Sequence, residues 1–144
     1  MRLMILRKAD ADTEAGVLPA EELLAAMGKY VEEMANAGVL LSAEGLQASS
    51  KGARVKFSGG RPTVIDGPFT ETKELVAGFC LIQVGSKDEA IEWVKRWPAL
   101  DGHGEVELEI RQVFEADDFG EAFTPELRDA EQRIADRLAD NAKS

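Results

Sequence analysis

The run from Val76 to Val84 constrains the fold more than any other stretch. Side chains alternate between faces along an extended chain, so Val76, Cys80, Ile82 and Val84 share one face and Ala77, Phe79 and Leu81 the other. A strand apolar on both faces belongs inside a sheet that is covered twice. Leu3 to Leu6 makes the same demand over a shorter length before Arg7 and Lys8 end it.

The elements around these two strands follow from periodicity and punctuation. Asp10 to Gly16 is polar and reads as loop. Pro19 to Ala37 reads as a helix, with Pro19 in the first helical position, Glu21 and Glu22 in the first turn, and Leu23, Leu24, Met27, Tyr30, Val31 and Met34 in one stripe. Gly38 is placed for a left-handed cap. Val39 to Leu41 is briefly extended, and Ser42 to Gly52 reads as loop. Ala53, Val55 and Phe57 alternate with Arg54, Lys56 and Ser58, Gly59-Gly60 supplies a tight turn, and the chain returns through Asp66, which predicts a hairpin over 53–66. Pro62 puts its second strand at an edge. Ser86 and Glu89 predict a capping box opening a helix that runs to about Trp97, before Pro98. Glu105 to Phe114 alternates as a half-exposed strand, and Thr124-Pro125 starts a last helix reaching about Asp140. Its apolar strip, Leu127, Ile134 and Leu138, is narrow among many charges.

Taking out the hairpin and the tail leaves the order βαββαβ, so the expected class is α+β, ferredoxin-like, with an inserted β-hairpin and an extra C-terminal helix. Both helices of that arrangement cover one sheet face. Strands apolar on both faces then need a second cover, and a second subunit packed sheet to sheet is the simplest, giving a dimeric α+β barrel with twofold symmetry. We expect one domain, with residues 1–114 as its body and residues 115–144 as an acidic connector and C-terminal helix that packs on the same domain or on the partner.

The 144 residues suffice for a core without disulfide or metal. With 27 acidic and 17 basic side chains the net charge is -10, which disfavours nucleic acid and anionic membranes as partners. No stretch is long enough to span a bilayer or to serve as a signal-peptide core. Cys80 is the single cysteine, so no internal disulfide forms, and a reducing cytoplasm is the expected compartment. One histidine and one cysteine do not make a usual structural zinc site, and neither a phosphate-cradling loop nor a dinucleotide glycine fingerprint is present. No cofactor and no metal is expected.

Asp66-Gly67-Pro68-Phe69, continued by Thr70-Glu71-Thr72-Lys73-Glu74, resembles the signature of the DGPF family, a branch of the YciI-related proteins. Gly38-Val39-Leu40-Leu41 followed by Glu44-Gly45-Leu46, the Gly78-Phe79 strand, and Glu107 to Arg111 extend the resemblance over residues 1–114. It implies a dimeric α+β barrel of ferredoxin-like subunits. It also implies a regulatory link for part of the family, some of whose members are encoded beside extracytoplasmic-function sigma factors. The wider group is suspected of catalysis through a His–Asp pair, and this chain departs from that pattern, since its one histidine, His103, comes late.

Each candidate residue has a plain structural reading beside its functional one. Asp66 to Phe69 is good turn chemistry, with Gly67 free to take positive φ; functionally, Asp66 stands at a cleft mouth as a catalytic base or hydrogen-bond acceptor. Glu71, Lys73 and Glu74 make a solvated charged segment, or a loop closing a pocket with Lys73 on an anionic group. His103, between two glycines, is an exposed side chain, or a catalytic base oriented by Asp66 or Asp101. Glu107, Glu109 and Arg111 are the wet face of a strand, or pair with Arg54 and Lys56 of the hairpin, or line a polar cavity in a barrel-like dimer. Cys80 reads as a buried, inert thiol, and Trp93 and Trp97 as core or interface residues.

Three functions remain open. The first is a dimer binding a small metabolite near the Asp-Gly-Pro-Phe loop, with or without enzymatic activity, using Asp66 and His103 as catalytic candidates and Lys73, Glu71, Arg54 and Arg111 as ligand contacts. The second is a regulatory interaction module serving transcription through a sigma factor. The third is a dimer whose tail helix recruits another protein.

Overall fold

Arg2–Lys8 forms β1, and its burial alternates residue by residue. Leu3 and Ile5 are fully buried on one side; Met4 and Leu6 are half-buried on the other. The structure, a computed structural model, describes residues 1–143. Strand β1 lies beside β5 (Val76–Gln83) along its whole length, pairing Leu3 with Ile82 and Ile5 with Cys80. On its other edge β1 pairs with β6 (Leu108–Gln112), and β2 (Leu40–Gly45) closes the far side of β5. All pairings are antiparallel and the order is β2-β5-β1-β6. The two strands read as apolar on both faces are thus the two inner strands of an open antiparallel sheet.

Helix α2 (Glu21–Asn36) and helix α3 (Lys87–Val94) build the core with the sheet. Tyr30 and Met34 from α2 and Ala90 from α3 join Leu3, Ile5, Cys80 and Ile82 in one buried cluster, with Trp93 and Trp97 packed against it. The Tyr30 hydroxyl donates to the Trp93 carbonyl at 2.6 Å, and its ring meets Trp97 edge to face at 5.5 Å. Burial pushes the Tyr30 phenol up to about 12 and the Cys80 thiol up to about 11. The thiol is therefore protonated and inert at neutral pH.

Several boundaries differ from expectation. Asp10 to Gly16 is not all loop: α1 spans Ala11–Glu14, capped reciprocally by Asp10 and Thr13. The helix expected from Pro19 starts at Glu21, with Ala20 as its cap. Gly38 does take positive φ, 75°. Glu89 caps differently from a box: Ser86 accepts from the Glu89 N–H, but the Glu89 carboxylate accepts from the Gly85 N–H rather than from Ser86. The last strand keeps only Leu108–Gln112, and ahead of it Asp101–Gly104 tightens into a turn with Gly102 and His103 left-handed.

The hairpin forms as expected. Strands β3 (Ala53–Ser58) and β4 (Arg61–Asp66) pair only with each other, Val55 facing Val64. Both turn glycines have positive φ, as a two-residue hairpin turn requires. All residues of both strands are exposed.

The chain divides into two compact units, Met1–Gln112 and the part from Val113 onward. In the second, turns over Ala116–Ala122 lead into α4 (Pro125–Ala142), which Thr124 caps at the Leu127 N–H. Phe114 stacks on Phe119 at 4.8 Å, and Arg128 pairs with Asp117 at 3.0 Å. Leu127, Ile134 and Leu138 are exposed. Among the described residues no helix is long and apolar enough to cross a membrane.

Candidate functional site

The alternation of β1 carries its inward face past Ile5 to Arg7, which is also buried. A buried guanidinium needs a matching anion, and Asp101 supplies it. Arg7 Nε donates to Asp101 Oδ2 at 3.0 Å and Nη2 donates to Oδ1 at 2.6 Å, a bidentate pair. Trp97 Nε1 donates to Asp101 Oδ2 at 2.8 Å, Arg7 Nη2 also reaches Asp10 Oδ2 at 3.2 Å, and Nη1 donates to the Lys8 carbonyl. The Asp101 hydrogen bonds raise the Arg7 pKa further. Burial alone would lift the carboxyls of Asp101 and Asp10. Hydrogen bonds outweigh it, from Arg7 and Trp97 to Asp101 and from Thr13 and Arg7 to Asp10, and hold both below the ordinary carboxylate value.

This ionic anchor forms the floor where β1 leaves the sheet. Lys8 N–H donates to the Glu107 carbonyl and Ala9 N–H to the Leu75 carbonyl, so the chain end is held between its two neighbours. A cavity of about 450 Å³ opens there, lined by Arg7 to Ala11 of the β1 end, Thr72 and Lys73 of the loop before β5, and Glu105 to Glu107 before β6. Arg7 is committed to its partners. The Lys8 ammonium makes one long contact, 3.4 Å to the Glu74 carbonyl. Lys73, Glu105 and Glu107 are exposed side chains with no hydrogen bond or ion pair among the described residues. Two ammonium groups and two carboxylates around the opening can bind a small polar molecule by charge-assisted hydrogen bonds.

The loop carrying Lys73 is fixed by the Asp-Gly-Pro-Phe segment. Glu14 accepts from both the N–H and the hydroxyl of Ser49, and the same hydroxyl accepts from the Phe69 N–H at 3.0 Å. Arg54 lies over the Phe69 ring, 3.9 Å from its centroid. Gly67 does not have positive φ, contrary to expectation. Its need is space: a Cβ there would stand 1.7 Å from the Ser49 carbonyl oxygen. The Gly67-Pro68 peptide is cis.

Of the residues singled out in the sequence, the cavity brings in Lys73 and Glu107. Asp66 ends β4, exposed, and its carboxylate makes no hydrogen bond or ion pair among the described residues. Glu71 precedes the turn Thr72–Glu74 and lies outside the cavity lining. Arg111 reaches Glu109 at 3.3 Å on β6. His103 is 89% exposed and meets neither Asp66 nor Asp101: its Nε2 lies 3.4 Å from Asp12 Oδ2. Asp101 was unavailable to it because Arg7 and Trp97 occupy its carboxylate. Among the described residues no cluster of His, Cys, Asp and Glu is arranged to hold a metal ion.

The model of the YCII-related domain matches residues 1–117. The chain belongs to the YCII-related domain family. A Rhizobium meliloti (strain 1021) protein, itself uncharacterised, is 40% identical over 74 residues, which is 51% of this chain and 56% of that protein. The matched region therefore spans little more than half the length of that curated relative. Among solved structures, 5-chloro-2-hydroxyhydroquinone dehydrochlorinase from Burkholderia phenoliruptrix AC1100, in complex with 2,5-dihydroxybenzoquinone, aligns with a TM-score of 0.43 at 16% identity over 80% of this chain and 95% of that one.

In this YCII-related domain the residues that reading the sequence missed are Lys8, Asp10 and the Arg7–Asp101–Trp97 anchor. One signal was present. Positions 3, 5 and 7 share the inward face of β1, so Arg7 falls where an apolar residue is expected. A charged residue there implies a buried partner. The sequence does not say that Asp101, far along the chain, is that partner.

Proposed function

We propose that this YCII-related protein binds a small polar metabolite in the cavity at the end of β1, with Lys73 and Lys8 as its cationic contacts. The supporting observation is a 450 Å³ opening whose wall includes Lys73, on a loop that Gly67, Phe69 and Ser49 tie down. A rigid scaffold holding a charged loop over a pocket is the usual setting for ligand binding. Asp66 and His103 do not line the cavity. As catalytic groups they would act only on a ligand that extends beyond it, and Asp12 would be the group orienting His103.

In this reading the subunit is ferredoxin-like and works as a cytoplasmic homodimer. The strand order and the half-buried Met4, Leu6, Phe79 and Leu81, on the sheet face opposite the one that packs on α2 and α3, support that assembly. Regulation through a sigma factor rests on the family resemblance, and no feature of the described surface favours it.

A thermal-shift screen against a metabolite library tests the binding reading, because a ligand at 100 times its Kd adds about 2.7 kcal/mol to native stability. We expect a polar, charged hit whose shift falls by more than half in Lys73→Ala. A hit indifferent to both Lys73→Ala and Lys8→Ala would place binding elsewhere.

A further inference from the structure

The register that pairs Arg7 with Leu108 continues one step beyond β6, where the Lys8 N–H donates to the Glu107 carbonyl at 3.0 Å. A lysine and a glutamate at such neighbouring cross-strand positions are well placed to pair. They do not. The Lys8 ammonium reaches the Glu74 carbonyl instead, at 3.4 Å, and the Glu107 carboxylate has no partner among the described residues.

The same holds for the other free charges of the cavity. Arg7 is taken up by Asp101 and Asp10, and Asp10 also accepts from the Thr13 N–H. Lys73 and Glu105 have neither hydrogen bond nor ion pair among the described residues. Two ammonium groups, Lys8 and Lys73, and two carboxylates, Glu105 and Glu107, thus surround one opening without neutralising each other. A compact space of 450 Å³ is about 10 Å across, close to the Debye length at 0.1 M salt. A ligand inside it therefore feels both signs. A plain anion drawn to the lysines is repelled by Glu105 and Glu107, and a plain cation drawn to the glutamates is repelled by the lysines. A molecule with one charge of each sign meets a counter-charge at both ends. Ala9, Ala11 and Val106 complete the lining with short apolar side chains that leave room for a carbon skeleton.

On the reading of this cavity as a binding site, we propose that its ligand is a small zwitterion, an amino acid or similar aminocarboxylate, whose carboxylate meets Lys8 and Lys73 and whose ammonium meets Glu105 and Glu107. Each contact is a charge-assisted hydrogen bond. Rejection of singly charged analogues is the specificity that the two pairs of unlike sign add.

Isothermal titration of the full chain with the standard amino acids tests this, followed by the amine and the acid that each binder leaves when its carboxylate or its ammonium is removed. At least one amino acid binds, and both of its singly charged analogues bind about tenfold more weakly or worse. Lys73→Ala weakens the amino acid by about tenfold, and Glu105→Gln with Glu107→Gln does the same. The glutamine pair also binds the deaminated acid more tightly than the wild type does, because its repulsion is gone; a merely structural role for the glutamates would weaken every ligand alike. A deaminated acid that binds the wild type as tightly as the amino acid, or that gains nothing from the glutamine pair, overturns the zwitterion and leaves the lysine-lined site standing. So does a metabolite screen that yields a Lys73-dependent anion and no amino acid. A screen whose hits ignore both lysines removes the site and the zwitterion together.

Discussion

Ile5 in β1 and Ile65 in β4 both sit in antiparallel ladders, yet Ile5 is 0% exposed and Ile65 is 43% exposed. The difference lies outside the strands. Strand β1 has a neighbour on each edge and helices across one face; the hairpin strands have only each other. Hydrogen-bonded pairing therefore contributes register in both places, and burial contributes stability in only one. The inner sheet can hold an ion pair such as Arg7–Asp101 in place, whereas the hairpin leaves its apolar side chains for something else to cover.

The strongest way to break that contrast is to remove one partner of the buried pair. Asp101→Ala leaves the Arg7 guanidinium buried beside only Asp10, and we expect a loss of about 3–5 kcal/mol in urea unfolding at pH 7. A loss below 1 kcal/mol would show that water reaches Arg7 and that the sheet end is not an anchor. Next comes Gly67→Val, whose Cβ would collide with the Ser49 carbonyl. We expect about 1–3 kcal/mol from displaced backbone, against less than about 0.5 kcal/mol for Asp66→Asn at an exposed carboxylate. Equal losses at the two positions would give Asp66 a structural role that its surroundings do not show.

Acid sharpens the comparison further. The folded state holds the carboxyls of Asp101 and Asp10 below their unfolded value, so folding releases protons as the pH drops through that interval. Their contribution is complete above the unfolded value of about 3.9 and is lost as pH falls through the lower folded values. The urea midpoint of the wild type should fall more steeply with acid than that of Asp101→Asn, and parallel curves between pH 5 and pH 3 would contradict this. Smallest is Phe57→Ser on the hairpin. In the isolated subunit it should change stability by less than about 0.5 kcal/mol, and a large loss would mean that the ribbon is already covered.

The sequence displayed the scaffold more clearly than the site. The two strands apolar on both faces, the hairpin with its paired glycines and the Thr124 cap are local patterns, each written in consecutive residues. Even α1 was legible in principle, since Asp10 and Thr13 stand at capping spacing, but a Thr in place of Glu or Gln conceals the box. The cavity was not legible. Lys73 drew notice through its motif and Glu107 through its strand, but the lining comes from three separated segments, Arg7 to Ala11, Thr72 to Lys73 and Glu105 to Glu107.

By itself the sequence determined which strands lie innermost, where the turns fall and that the surface is acidic, because alternation, glycine placement and charge are properties of neighbouring residues. Only the tertiary structure decided that Asp101 serves Arg7 rather than His103, that Gly67 is needed for closeness to Ser49 rather than for its φ, and that the hairpin stands uncovered. Each of those depends on which distant segments meet, and spacing along the chain does not encode a meeting in space.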